Sequence, residues 1–269
     1  MSRQLVTISG VTFSGSGYTQ VIPSAYEIAI NKLAHIRFWM SPETRFEGLG
    51  PGNGLRDRIS RVDGTEFSTY GYTLGATLPN SQPSLVIAST GSPTFIRQAI
   101  IFTGLDLSFL ASGYSKIIVV NKTTDSTFMP LIAMNDKLCD VTMGTNGRIE
   151  INHGSGSQVY QPGVVSPGAQ GAAHVIMVSW NATTKALVVE IDGVAKSLTA
   201  STLTTVPVVA SITKMGIGGM DTGSNLFSSG AIGEAFILDT PLADSANLTL
   251  KRAFYAQLNS KYGFTLPVS

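Results

Sequence analysis

Charge is scarce in this sequence. Asp, Glu, Lys and Arg make up 13% of it, and the formal balance is +1. No run of Lys and Arg appears, so the electrostatic footprint of a nucleic-acid binder is missing and no such partner is expected. Cysteine is nearly absent. A lone Cys139 rules out an intramolecular disulfide, so stability must come from packing or oligomerisation, and the thiol reads as a small buried group at a strand edge. Long apolar runs are also missing. Nothing of about 18 residues could cross a membrane as a helix, and the segment after Met1 is too short and too rich in hydroxyls for a signal peptide. Neither membrane insertion nor a leader is expected. Histidine is limited to His35, His153 and His174, none paired at metal-ligand spacing. A Gly-x-Ser-x-Gly nucleophile elbow in strand-turn-helix context is lacking. So is a phosphate-cradling loop, because no helix follows Gly216-Ile217-Gly218-Gly219.

Apolar residues, 43% of the chain, supply a core, and 28 glycines with many Ser and Thr suit short strands and tight turns. The 269 residues fit one large all-β domain, or a domain with an arm. Residues 1–34 read as an N-terminal arm or attachment segment, with an extra edge strand as the alternative. Within them Pro23-Ser24 can start a short helix. Residues 35–269 form the main domain. Strand composition recurs at Ile36–Met40, Ala99–Phe102, Lys116–Val120, Pro130–Met134, Lys214–Gly219 and Gly230–Leu238. Val141–Gly144 and Arg148–Asn152 flank Thr145-Asn146-Gly147, a hairpin signal, because Asn and Gly tolerate positive φ. His174–Trp180 and Ala186–Ile191 form a second hairpin, and Asp192-Gly193 starts the next turn. Near the end Leu248, Phe254, Tyr255, Leu258 and Tyr262 recur at helical spacing, Asp244 or Ser245 can cap the helix, and Gly263 sits at its C-terminal cap. Many strands with one late helix predict an antiparallel sandwich.

In order, the segments His174–Gly193, Met215–Gly219 with Phe227–Leu238, and Leu242–Phe264 ending in Lys261-Tyr262-Gly263 resemble the concanavalin A-like lectin/glucanase superfamily in its laminin G-like branch. Phe38-Trp39, Arg56-Asp57 and Ile101–Asp106 add weaker likeness, so the resemblance covers about residues 35–265. It implies an all-β, antiparallel two-sheet jelly-roll sandwich with one C-terminal helix. Such domains bind glycans or proteins, some bind calcium, and a minority are glycan hydrolases or lyases. The Lys-Tyr-Gly helix is similar to that of bacteriophage virion proteins. That likeness implies a virion structural protein, decorating the capsid or associated with the tail. Its partners would be other virion proteins, a second and third copy of itself (a trimer is favoured) and a cell-surface glycan. A free lectin-like module and a glycan hydrolase or lyase remain the alternatives.

For catalysis the fold needs two carboxylates facing each other across the sugar. Glu190 and Asp192 supply the first two positions of the family's Glu-x-Asp-x-(x)-Glu strand. Val194 or Ala195 replaces the third, and Asp192 reads as a turn residue. Glu150 and Asn152 share a face and read as a solvent-facing strand edge; Glu234 reads as structural, bonding a neighbouring loop. No catalytic residue is assigned, and no enzyme is expected. Tyr70, Tyr72, Tyr114 and Tyr160 in polar stretches, with His153 in a Gly-Ser loop, are the candidate glycan contacts. Trp39 and Trp180 are weaker ones, Trp180 reading as core. No cofactor is required. Asp221 and Asn225 are the calcium candidates, hard oxygen donors on one loop of the kind calcium prefers, with a plain turn as the alternative.

Overall fold

A computed structural model describes residues 23–46, 54–67, 73–87, 99–122, 129–135, 138–144, 148–154, 158–160, 172–220 and 230–269. Helix α1 (Ala25–Lys32) comes first. Ser24 and Glu27 close a reciprocal capping box at its start, Glu27 N–H to Ser24 Oγ at 3.2 Å and Ser24 N–H to Glu27 Oε2 at 2.6 Å. The strands then run β1 (Ile36–Met40), β2 (Arg45–Phe46), β3 (Gly54–Arg56), β4 (Asp63–Phe67), β5 (Thr73–Leu78), β6 (Gln82–Ile87), β7 (Ala99–Thr103), β8 (Tyr114–Lys122), β9 (Met129–Met134), β10 (Asp140–Met143), β11 (Ile149–Asn152), β12 (Gln158–Tyr160), β13 (Ala173–Trp180), β14 (Leu187–Ile191), β15 (Val194–Ala195), β16 (Lys214–Ile217) and β17 (Gly230–Leu238). Helix α2 (Leu248–Tyr262) follows.

Two sheets stack. The first is ordered β15-β14-β13-β8-β17-β6-β5, with β1 also paired to β17; the second is ordered β12-β11-β10-β9-β16-β7-β4-β3-β2. Every strand pair among the described residues is antiparallel. The architecture is the two-sheet sandwich with one C-terminal helix that the strand series implies.

Alternation along each strand assigns its two faces. In β8, Tyr114, Ile118 and Val120 enter the layer between the sheets, where they meet Phe102, Ile132, Val141, Ile151 and Met215 of the second sheet. The intervening Ile117 and Val119 point the other way and meet Phe254, Tyr255, Leu258 and Tyr262 of α2. The first sheet is thus covered on both faces, which is why its central strands read as unbroken apolar runs. Helix α1 joins the same outer layer through the buried Ile30.

The closing helix differs from expectation at its start. Asp244 does not cap α2; its Oδ2 accepts from Asn181 Nδ2 at 2.6 Å, and a short 3-10 turn, Ser245–Asn247, leads into the helix. Leu248 is left 37% exposed, so it is not a core position. The far end is as predicted: Gly263 takes φ +71° and its N–H returns to Asn259 O at 2.8 Å. In β16, Gly216 is required for space. A Cβ there would stand 1.6 Å from Gly219 O, because the chain folds back across the strand.

Candidate functional site

Among the buried polar side chains of the described residues, three groups bear on the candidate sites, and they differ in what they can do. The first lies beneath the helices. Glu234, on β17, points out of the first sheet and is fully buried. It accepts from Trp39 Nε1 at 2.8 Å, Tyr26 Oη at 2.6 Å and Tyr262 Oη at 3.2 Å, with Lys261 Nζ at 3.3 Å. Burial, then the Glu234 charge, pushes both tyrosines well above the usual phenol range, so they stay neutral donors. Glu190 is held likewise by Lys251 Nζ at 2.6 Å and Tyr255 Oη at 2.8 Å. Each carboxylate is enclosed by its donors, and both tie α2 to the sheet. Glu234 is structural as expected, but its partners come from β1 and the two helices, not from a loop. Asp192 likewise takes its turn role, at φ +52° before Gly193 at +76°.

The second group sits between the sheets and corrects two expectations. Tyr114 and His153, taken as ligand contacts, are both buried. His153 continues the inward row of Ile149 and Ile151. Its Nδ1 lies 2.8 Å from the Thr205 carbonyl, which can only accept, so that nitrogen carries the proton. Its Nε2 then accepts from Tyr114 Oη at 2.6 Å. The ring stands edge-on to buried Trp180 at 4.7 Å. Burial lowers the imidazole to about 4, the nearby Lys116 and Lys185 adding to this and the Thr205 carbonyl opposing it. Trp39, the other indole considered for a glycan platform, is buried as well.

The third group lies on the far face of the second sheet. In β10 and β11, Val141, Met143, Ile149 and Ile151 face the core, which leaves Asp140, Thr142, Glu150 and Asn152 on the opposite side. The register sets Thr142 against Glu150 and Asp140 against Asn152. The edge strand β12 pairs with β11 in the register Tyr160 to Glu150 and Gln158 to Asn152. Asp140, Thr142, Glu150 and Asn152 are buried, Glu150 to 1% exposure, so the expectation of a solvent-facing edge at Glu150 and Asn152 does not hold: β11 is flanked on both sides. Glu150 is ion-paired to Arg148, whose side chain is 39% exposed and carries the row to the surface. Asp140 also receives Met134 N–H at 2.7 Å, which ties the end of β9 to the start of β10.

Of the remaining sequence candidates, Tyr160 falls in this register, whereas Tyr70, Tyr72, Asp221 and Asn225 lie outside the described residues. No group of three or more His, Cys, Asp or Glu side chains among the described residues could hold a metal ion. The polar row was legible in alternation, since Thr142, Glu150 and Asn152 each follow an apolar residue. Nothing in the sequence marked β12 as its neighbour.

No protein-family model and no curated protein matches the chain. Solved structures share its fold. A Trypanosoma rangeli sialidase in complex with 2,3-difluoro-KDN aligns at TM-score 0.55 and 12% identity, over 96% of this chain and 36% of that one. The binding domain of botulinum neurotoxin DC in complex with SialylT aligns at 0.55 and 10%, over 82% and 52%. A botulinum neurotoxin type C structure, described as dependent on two ganglioside molecules for cell entry, aligns at 0.51 and 13%, over 81% and 51%. The chain spans about a third to a half of the length of these proteins. The expectation that it is not an enzyme is overturned by the sialidase likeness: this fold occurs within enzymes, and its presence excludes none.

Proposed function

We propose that this domain binds glycans, and that its binding face is the outer side of the second sheet along β10, β11 and β12. One observation carries the reading: the polar row of Asp140, Thr142, Glu150 and Asn152 lies on the face away from the core and comes to the surface at Arg148, whose side chain is 39% exposed. Where the row reaches solvent, carboxylate, amide and guanidinium groups are suited to sugar hydroxyls and carboxylates. The positive charge of Arg148 at the border of the row suits a sugar carboxylate. Sialylated glycans are therefore the class proposed; structures that share the fold include a sialidase in complex with sialic acid, a neurotoxin binding domain in complex with SialylT and a neurotoxin whose cell entry depends on two ganglioside molecules.

A finer reading places the domain on a virion, as a homo-oligomer attached through residues 1–34. It rests on the resemblance of the closing helix alone. Within residues 1–34, α1 packs against its own sandwich through Ile30. The test of the binding proposal is an array of sialylated glycans beside their desialylated counterparts, with release of sialic acid read in parallel to detect turnover. Retention of the protein on sialylated members only is expected. Equal retention on both, or on neither, would rule the proposal out.

A further inference from the structure

Lys116 and Cys139 meet inside the sandwich. Lys116 stands on β8 in the inward row of Tyr114, Ile118 and Val120, so its stem runs into the layer between the sheets. Cys139 immediately precedes β10, in the other sheet. Both residues are buried. Nζ of Lys116 lies 3.2 Å from Sγ of Cys139, and it also donates to the Cys139 carbonyl. The Tyr114 ring closes the site, its centroid 4.9 Å from the nitrogen.

Two features separate this pair from an ordinary core thiol. Lysine is almost never fully buried unless paired, and its usual partner is a carboxylate. Here the described residues bring the nitrogen to a thiol, a carbonyl oxygen and an aromatic face. The contact also joins the two sheets, in a chain whose one cysteine cannot do so by a disulfide. Burial pushes the thiol up, while the Lys116 nitrogen pulls it back down. Because the thiol is enclosed, bulky thiols cannot reach it to resolve an oxidised sulfur. The neighbouring amine can.

We infer that Lys116 and Cys139 form an oxidative cross-linking site, in which a single oxygen atom bridges Nζ and Sγ and staples one sheet to the other. With a peroxide as oxidant the step balances. The S–H bond and one N–H bond break, and S–O and O–N bonds form. Sulfur and nitrogen each give up two electrons, and these four reduce two molecules of hydrogen peroxide. One peroxide oxygen enters the bridge and three leave as water. Two molecules of a dithiol reductant reverse the step, supplying four electrons and four hydrogens to regenerate thiol and amine with release of one water.

The test exposes the full chain to hydrogen peroxide and maps its peptides by mass, before and after dithiothreitol. The expected product is a peptide pair joined through Lys116 and Cys139, heavier than the sum of its parts by one oxygen less two hydrogens, about 14 Da. Thiol titration in denaturant should fall in step, and the reductant should restore it. Oxidised methionines gain whole oxygens and are told apart at the peptide level. Cys139→Ser and Lys116→Arg should each abolish the joined pair; if either fails to fold, the wild-type map decides alone. Cys139 carrying one, two or three oxygens with Lys116 unmodified would overturn the inference. A thiol that survives peroxide unchanged would do so too.

Discussion

The indole Nε1 of Trp39 donates to Oε1 of Glu234 across 2.8 Å, between residues 195 positions apart in the chain. That bond joins the opening strand of the domain to the last strand of the same sheet. Through Tyr26, Lys261 and Tyr262 it also joins both helices. Trp39, the Glu234 strand and the Lys261-Tyr262 pair at the end of α2, three of the segments singled out in the sequence, meet at one buried carboxylate.

Removing that carboxylate should be expensive. Glu234→Ala leaves three donors without their acceptor and Lys261 with Glu43 alone, at 3.4 Å, and breaking a buried pair this way costs about 3–5 kcal/mol. Trp39→Phe keeps most of the ring and loses one hydrogen bond, so about 1–3 kcal/mol is expected. Urea unfolding of the two variants beside wild type checks both the values and their order.

His153 should make the fold acid-sensitive. Its imidazole falls from 6.5 in the unfolded chain to about 4 in the fold, so the unfolded state binds the proton first. The associated stability is fully present above pH 6.5 and drains away as pH falls toward 4, by about 3 kcal/mol in all. The slope of unfolding free energy against pH over that window should be shallower in His153→Gln. An unchanged slope would assign the acid sensitivity to other groups.

At Gly216 the clash is with backbone, which cannot swing aside. Gly216→Ala sets a methyl group 1.6 Å from Gly219 O and should cost about 3 kcal/mol or more. At Gly104 a Cβ meets nothing within 4 Å, and only the positive φ is strained, so Gly104→Ala should cost about 1–2 kcal/mol. Thermal melts of the two variants give the comparison.

The two ends of α2 should respond differently to truncation. Leu258 is buried against the first sheet, and Leu258→Ala is expected to cost about 2–5 kcal/mol. Leu248, more than a third exposed, should tolerate alanine within about 0.5 kcal/mol. Equal effects would mean that the helix docks along its whole length.

Much of the fold was legible because its signals are local. The hairpin of β13 and β14, the turn at Asp192-Gly193, the capping box of α1 and the left-handed Gly263 each follow from a few adjacent residues. The site was less legible, for two physical reasons. Lys116 begins the apolar run that ends at Val120, and only its even spacing with Ile118 and Val120 reveals that it points inward. His153 stands beside Gly154 and looks like a loop residue, yet it shares the parity of Ile149 and Ile151. Composition suggested polarity where alternation dictated burial. Contacts such as Trp39 to Glu234 depend on how distant strands pair, which no local pattern encodes.

The most direct test of the glycan-binding face is the affinity of a sialylated trisaccharide for wild type, Asn152→Ala and Arg148→Ala, measured by titration calorimetry with folding verified by circular dichroism. Loss of one polar contact to the sugar should weaken binding by about tenfold or more in each variant. Wild-type affinity in both folded variants would contradict the placement of the site on β10, β11 and β12.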